Sequence, residues 1–121
     1  MSTIKTTTLS TQGGSTVPVD TVVNGTAKAW VNFNGTGTVA IRRAFNVSSV
    51  TDRNVGRYTV NLTTAMPDSN FTVSCVGSTN NGDNVGESFQ AYAASTTTIP
   101  ITAGTTSAYL DAPTVCIAIF S

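Results

Sequence analysis

Residues 57–62, Arg57-Tyr58-Thr59-Val60-Asn61-Leu62, alternate polar and apolar side chains without an error. A period of two is the mark of a half-buried β-strand, because successive side chains of a pleated strand point to opposite faces. Tyr58, Val60 and Leu62 are therefore expected to face a core, with Arg57, Thr59 and Asn61 turned to solvent. Composition extends this reading along the chain: 23 Thr, 14 Val and 6 Ile stand against 3 Leu. β-Branched side chains are stiff at χ1 and fit a pleated strand better than a helix.

The same period recurs elsewhere. Val31 and Phe33 share one face of a strand while Trp30 and Asn32 take the other, and Asn34-Gly35 offers the residues of a hairpin turn with φ > 0. In the return strand, residues 39–45, Val39, Ile41 and Phe45 fall on one side and Arg42 on the other. Arg43 falls on the apolar side, which requires either a bulge or an open strand there. Residues 66–70 (Met-Pro-Asp-Ser-Asn) make a turn, and the strand after it carries Phe71, Val73 and Cys75 on one face. Further short strands are expected over residues 89–93, 97–102, 107–111 and 114–120. In the last of these Val115, Ile117 and Ile119 alternate with Cys116, Ala118 and Phe120, so both faces are apolar and the strand should be central or sandwiched. A chain of 121 residues has room for one core. The expected fold is all-β, an antiparallel β-sandwich or flattened barrel of about seven short strands, with no helix required.

Residues 1–26 read differently from the module of residues 27–121. They are rich in Thr, Ser and Gly, and their apolar residues, Ile4, Leu9, Val17, Val19, Val22 and Val23, are too scattered to build a core. An extended arm is expected, either a disordered tail or a strand that joins a partner's sheet edge. The alternation of Val17, Val19 and Val23 favours the second.

Only 10% of residues are charged, against about 25% in an average soluble domain, and the net charge is zero. Net charge near zero gives little protection against association, and small Thr, Ser, Val and Gly side chains lose little freedom when covered. Association with other chains is the expectation. The residues before position 60 carry six bases and two acids, and those after it four acids and no base, a split suited to orienting neighbouring copies. Arg42, Arg43, Arg53 and Arg57 are the basic candidates for partner contact, with Ile4, Leu9, Val17, Val19 and Trp30 as the apolar ones. Zero net charge argues against a nucleic-acid partner.

The chain contains no histidine, which removes Ser-His-Asp and Cys-His catalysis, and its six acids fall in no recognised catalytic spacing. A non-enzyme without cofactor or metal is expected. The polar stretch of residues 77–88 offers Asn81, Asp83, Asn84 and Glu87 as loop contacts, in a spacing unlike that of a calcium-binding EF-hand. Cys75 and Cys116 read as small buried hydrophobes, able to pair if their strands are neighbours. No stretch has the length of a signal peptide or a membrane span, so synthesis in a cytoplasm without secretion or membrane insertion is expected.

Residues 25–73, which include the run Lys28-Ala29-Trp30-Val31-Asn32-Phe33-Asn34-Gly35-Thr36-Gly37-Thr38-Val39-Ala40-Ile41-Arg42, closely resemble a β-module of virion proteins from tailed bacteriophages, particularly those of aquatic hosts such as cyanobacteria. The ending Thr114-Val115-Cys116-Ile117-Ala118-Ile119-Phe120 is similar to the close of that module. Such relatives often carry a Gly-rich turn before the Tyr, where this chain has Asp52-Arg53-Asn54-Val55-Gly56-Arg57. The resemblance implies a structural part of a phage particle, often a homotrimer, in contact with other virion proteins. The short arm, with no shaft, heptads or collagen-like repeat before the module, favours a head decoration (cement) protein bound to the major capsid protein. The alternative is a tail-fibre tip or adhesin that meets a host surface receptor.

Overall fold

The computed structural model describes residues 1–79 and 86–121. Its strands run in the order β1 (Thr8–Ser10), β2 (Thr16–Pro18), β3 (Ala29–Asn34), β4 (Ala40–Phe45), β5 (Val47–Asn54), β6 (Arg57–Leu62), β7 (Thr72–Ser78), β8 (Glu87–Ala91), β9 (Thr98–Thr105) and β10 (Thr114–Phe120), with one helix, α1 (Val19–Gly25), between β2 and β3. Two four-stranded antiparallel sheets, ordered β4-β3-β10-β7 and β5-β6-β9-β8, form an all-β sandwich, and β1-β2 stands apart as a hairpin.

The core is built from alternate residues of the two central strands of each sheet. Ala29, Val31 and Phe33 of β3 and Val115, Ile117 and Ile119 of β10 meet Tyr58, Val60 and Leu62 of β6 and Ile99, Ile101 and Ala103 of β9. The error-free alternation of residues 57–62 and the inward set of β3 thus lie where the sequence places them. β10, apolar on both faces, is a central strand as expected.

β5 and β4 escape simple parity. Val47 and Val50 are three residues apart, which a regular strand would send to opposite faces. Ser48 has no partner in the register between Val47↔Leu62 and Ser49↔Asn61, and this bulge turns both valines inward, opposite Leu62 and Val60. The sequence reading contained no strand over residues 47–54 for this reason. In β4 the extra residue is Arg42, lying between Phe33↔Ile41 and Asn32↔Arg43. The bulge moves Arg43 to the outer face, opposite Asn32, and carries Phe45 with it, opposite Trp30. Phe45 is therefore on the side away from Ile41, a correction to the expected face.

Other expectations change as well. The positive φ of the β3–β4 turn falls on Gly37, not on Asn34-Gly35. Gly35 is required for a different reason: a Cβ there would overlap the Tyr58 hydroxyl. Residues 107–111 form no strand and contribute only a bridge between Gly104 and Tyr109. Among the described residues the sandwich itself has eight strands instead of about seven. The first 26 residues are not one extended strand but a hairpin and a helix. Pro18 precedes α1 with φ −59°, Asp20 lies in its first turn, and the Lys28 ammonium donates to the carbonyls of Val23 and Thr26 beyond its last turn. None of the helix residues is buried.

The two sheets are tied at one end by the Tyr58 side chain. Its ring meets Phe33 edge to face, with centroids 5.2 Å apart. The hydroxyl accepts from the Ala112 N–H at 3.2 Å, and its proton faces both the Gly35 carbonyl at 3.1 Å and the Asp111 carboxylate at 3.2 Å. Asp111 also accepts from the Gly56 N–H at 2.8 Å, and Gly35 N–H donates to Ala112 O at 2.8 Å. Burial, reinforced by the Asp111 charge, pushes the Tyr58 phenol up from 10.0 to about 12.

Two outcomes follow from this packing. Ile101→Ala removes a fully buried side chain from a central strand and should lower the unfolding free energy by about 2–5 kcal/mol in urea, whereas Val76→Ser, on an exposed site, should change it by less than about 0.5 kcal/mol. Tyr58→Phe leaves buried partners unmatched and should cost about 1–3 kcal/mol. Because the folded phenol holds its proton more tightly than the unfolded one, its contribution is complete below pH 10 and is lost as pH rises towards about 12. Denaturant midpoints measured across that window should fall more steeply for the wild type than for Tyr58→Phe.

Candidate functional site

The outer faces of the two sheets differ in chemistry. On β5-β6-β9-β8 the outward residues are mostly hydroxyls and amides: Ser49 and Thr51 of β5 oppose Asn61 and Thr59 of β6, which in turn oppose Thr98 and Pro100 of β9. The Asn61 amide donates to both Ser49 Oγ and Thr51 Oγ1 at 3.0 Å, so this face satisfies itself across strands.

The outer face of β4-β3-β10-β7 is apolar at its centre. One row across the sheet is Phe45, Trp30, Ala118 and Ser74, and the next is Arg43, Asn32, Cys116 and Val76. Phe120 follows Ala118 on the same side of β10, opposite Thr72. Trp30, Phe45 and Val76 remain 37%, 55% and 65% exposed. Large apolar side chains on one face differ from the isolated exposed hydrophobics of any soluble surface, and this face is the candidate contact site.

The β1–β2 hairpin of the arm pairs with neither sheet of the sandwich. Leu9 and Val17 are cross-strand partners in the β1–β2 hairpin, and Ile4, Leu9, Val22 and Val23 are exposed, with Val17 and Val19 half-buried. The arm's backbone bonds run within itself, from Val19 N to Thr7 O at 3.0 Å and from Thr11 N to Ser15 O at 2.8 Å. At its base, Val23 lines an apolar recess of about 440 Å³ with Met66 and Pro67. A two-stranded hairpin is marginal by itself in water. The structure therefore does not bring Ile4, Leu9, Val17 and Val19 together with Trp30 in one site.

The four arginines also divide. Arg42 is held inside the molecule's own bonding, its guanidinium donating to Asn32 Oδ1 at 3.2 Å and to the Pro113 carbonyl at 2.7 Å. Arg43 stands on the outer face beside Asn32. Arg53 is the extra residue of a second bulge in β5, between Asp52↔Tyr58 and Asn54↔Arg57. Arg57 lies 4.2 Å over the Tyr109 ring. β4 and β5 are edge strands, and each carries an arginine at a bulge; kinks and charges of this kind keep an open edge from pairing with another sheet.

Glu87 points the other way from the expectation that it contacts a partner. It shares parity with Phe89 and Ala91, which pack on the core, so its carboxylate turns inward and accepts from the Thr79 N–H at 2.9 Å and from the Thr79 hydroxyl. Asn81, Asp83 and Asn84 lie outside the described residues. Among the described residues no group of three or more His, Cys, Asp or Glu side chains is placed to hold a metal ion. Among the described residues no helix is long and apolar enough to cross a membrane.

Cys75 and Cys116 sit on neighbouring strands but on opposite faces. Cys75 pairs with inward Ile117, and Cys116 with outward Asn32 and Val76, so both thiols are free. Burial, with a smaller contribution from Cys116, pushes the Cys75 thiol up from 9.0 to about 11.

Phe45, Val76, Cys116 and Phe120 were not singled out as contact residues by the sequence. Phe45 was masked by the bulge at Arg42. Val76 and Phe120 carried a legible signal, since apolar residues at both parities of an otherwise alternating strand mean that two faces need cover. Comparison with family models, with curated proteins and with solved structures finds no match to this chain. The fold and its surfaces define a β-sandwich with one apolar outer face and an arm whose hairpin joins neither sheet.

With a thiol-specific reagent at pH 8, Cys116 should label in the native protein, while Cys75 should react at least about tenfold more slowly until denaturant is added. Non-reducing electrophoresis should show no internal disulfide; a bridge between the two would overturn the face assignment.

Proposed function

We propose that this chain is a structural protein of a tailed-phage virion, a capsid decoration (cement) protein that binds the head through its arm and its β-module. The observation that carries this reading is the pairing of a rigid sandwich bearing an exposed apolar face, Trp30, Phe45 and Val76, with an arm whose Ile4, Leu9, Val22 and Val23 side chains stay exposed. The resemblance of residues 25–73 to virion β-modules supports the same conclusion. So does the scarcity of charge, which makes the surface cheap to desolvate.

The size of the face explains the arm. Four strands about 4.8 Å apart, each with about seven residues rising roughly 3.3 Å, give a face of roughly 440 Å². A stable protein–protein contact needs about 800 Å² from each partner. The sheet face by itself falls short, and the arm supplies further contact with the major capsid protein or a neighbouring copy. Arg43, beside the face, and Arg53, on the edge strand β5, add orientation more than affinity.

Antibody labelling of purified particles of the phage that encodes the chain should place it on the head, in many copies. Deleting residues 1–23, or replacing Trp30 and Phe45 with Ser, should leave a folded module whose retention on heads falls by at least about tenfold. Undiminished coating by the shortened protein would remove the arm from the interface. Labelling confined to the tail tip would overturn the assignment to the head.

A further inference from the structure

A second surface, on the polar sheet, has the makings of a ligand site. The outer sides of β8 and β9 and the loop of residues 105–109 enclose a depression of about 360 Å³, within the ~300–1,000 Å³ range of small-molecule sites. Ser88, Gln90 and Thr102 form its floor, turned outward because their neighbours Phe89 and Ile101 belong to the core side. Tyr109, half exposed, stands at the end of the loop that makes the wall.

The wall is built before any ligand arrives. The Thr105 N–H donates to Ala108 O at 2.8 Å, and the Thr105 hydroxyl accepts from the N–H groups of Ser107 at 3.2 Å and Ala108 at 3.3 Å. The Leu110 N–H returns to the Ala103 carbonyl at 3.0 Å and closes the loop onto β9. Gly104 permits this closeness, since a Cβ there would strike the Ala108 carbonyl. A loop fixed in this way loses little freedom on binding.

On the next strand, outside the lining itself, stands Arg57, the cross-strand partner of Thr102, with its guanidinium 4.2 Å over the ring of Tyr109. Among the described residues it has no hydrogen-bond or ion-pair partner. A guanidinium is charged at every accessible pH, its planar fork matches a carboxylate, and stacking on a ring fixes its direction. The floor offers what vicinal hydroxyls need, a primary amide and two hydroxyls that both donate and accept.

We propose that this depression binds an acidic saccharide, a uronic-acid-containing oligosaccharide, with its carboxylate on Arg57 and its ring hydroxyls on Ser88, Gln90 and Thr102. A neutral sugar leaves the guanidinium unused, and a small free anion leaves the polar floor unused. The site's chemistry is independent of the virion assignment, which is read by particle labelling and stands or falls separately.

The test is an NMR titration of the full chain with a tetrasaccharide of alternating glucuronate and N-acetylglucosamine, using maltotetraose and sodium acetate as controls. Saturable shifts should appear at Ser88, Gln90, Thr102 and Tyr109, with affinity at least about tenfold above either control. Arg57→Gln should bring the acidic tetrasaccharide down to the level of maltotetraose. Gln90→Ala, outside the arginine–tyrosine stack, should weaken the acidic tetrasaccharide several-fold without moving the unfolding midpoint, which separates lost binding from lost structure. Equal affinity for the acidic and neutral sugars, an equal response to acetate, or shifts that map elsewhere would each overturn the proposal.

Discussion

The pleat of the backbone assigns every side chain of this sandwich to one of two faces, and the rest of the structure follows from how that assignment is kept or broken. Where it is kept, in β3, β6, β9 and β10, alternate residues interlock into one core. Where a bulge breaks it, at Arg42, Ser48 and Arg53, the following residues change sides. Both bulged strands are edges, where an unpaired residue costs least because only one neighbour loses its register. The consequence is functional as well as structural. The bulge at Arg42 sends Phe45 to the outer face beside Trp30, and without it that aromatic pair would not form.

Tyr58 connects this core to the loops. Its ring is part of the apolar interior, and its hydroxyl gathers Gly35, Asp111 and the Ala112 amide at one end of the sandwich. On the neighbouring strand of the same sheet, the loop of residues 105–109 closes on β9 through Leu110, the residue before Asp111. The polar depression is therefore anchored from both sides, by the strand beneath it and by the Tyr58 cluster next to its end. Buried polar groups that are fully matched impose one geometry, and here they do so next to the surface most suited to a ligand.

The division of labour between the two outer faces is the feature with most bearing on function. One sheet presents Trp30, Phe45, Val76 and Phe120, which gain by being covered. The other presents cross-strand hydroxyls and amides that are content in water or against a polar ligand. Arginine serves three roles across the molecule: Arg42 ties β4 to Asn32 and Pro113, Arg53 marks a bulged edge, and Arg57 stacks on Tyr109. Charge is sparse, so the direction in which each guanidinium is held matters more than the total.

From the sequence came the all-β class, the inward sets of β3, β6 and β10, the central place of β10, and an arm distinct from the module. These features are local, because hydrophobic period and β-branched composition act within a strand and need no knowledge of its partners. Residues 47–54 and the face of Phe45 were illegible, since a bulge is defined by the register of the opposite strand. The inward turn of Glu87 was illegible for a related reason: its parity with Phe89 was visible, but its partner Thr79 lies just past the end of β7 and meets it only in the folded sandwich. The sandwich's choice of neighbours decided that Cys75 and Cys116 lie back to back, and that Gly104 lets a loop close over Ser88, Gln90 and Thr102. Such contacts join residues far apart in the chain, and only packing the two sheets determines which of them meet.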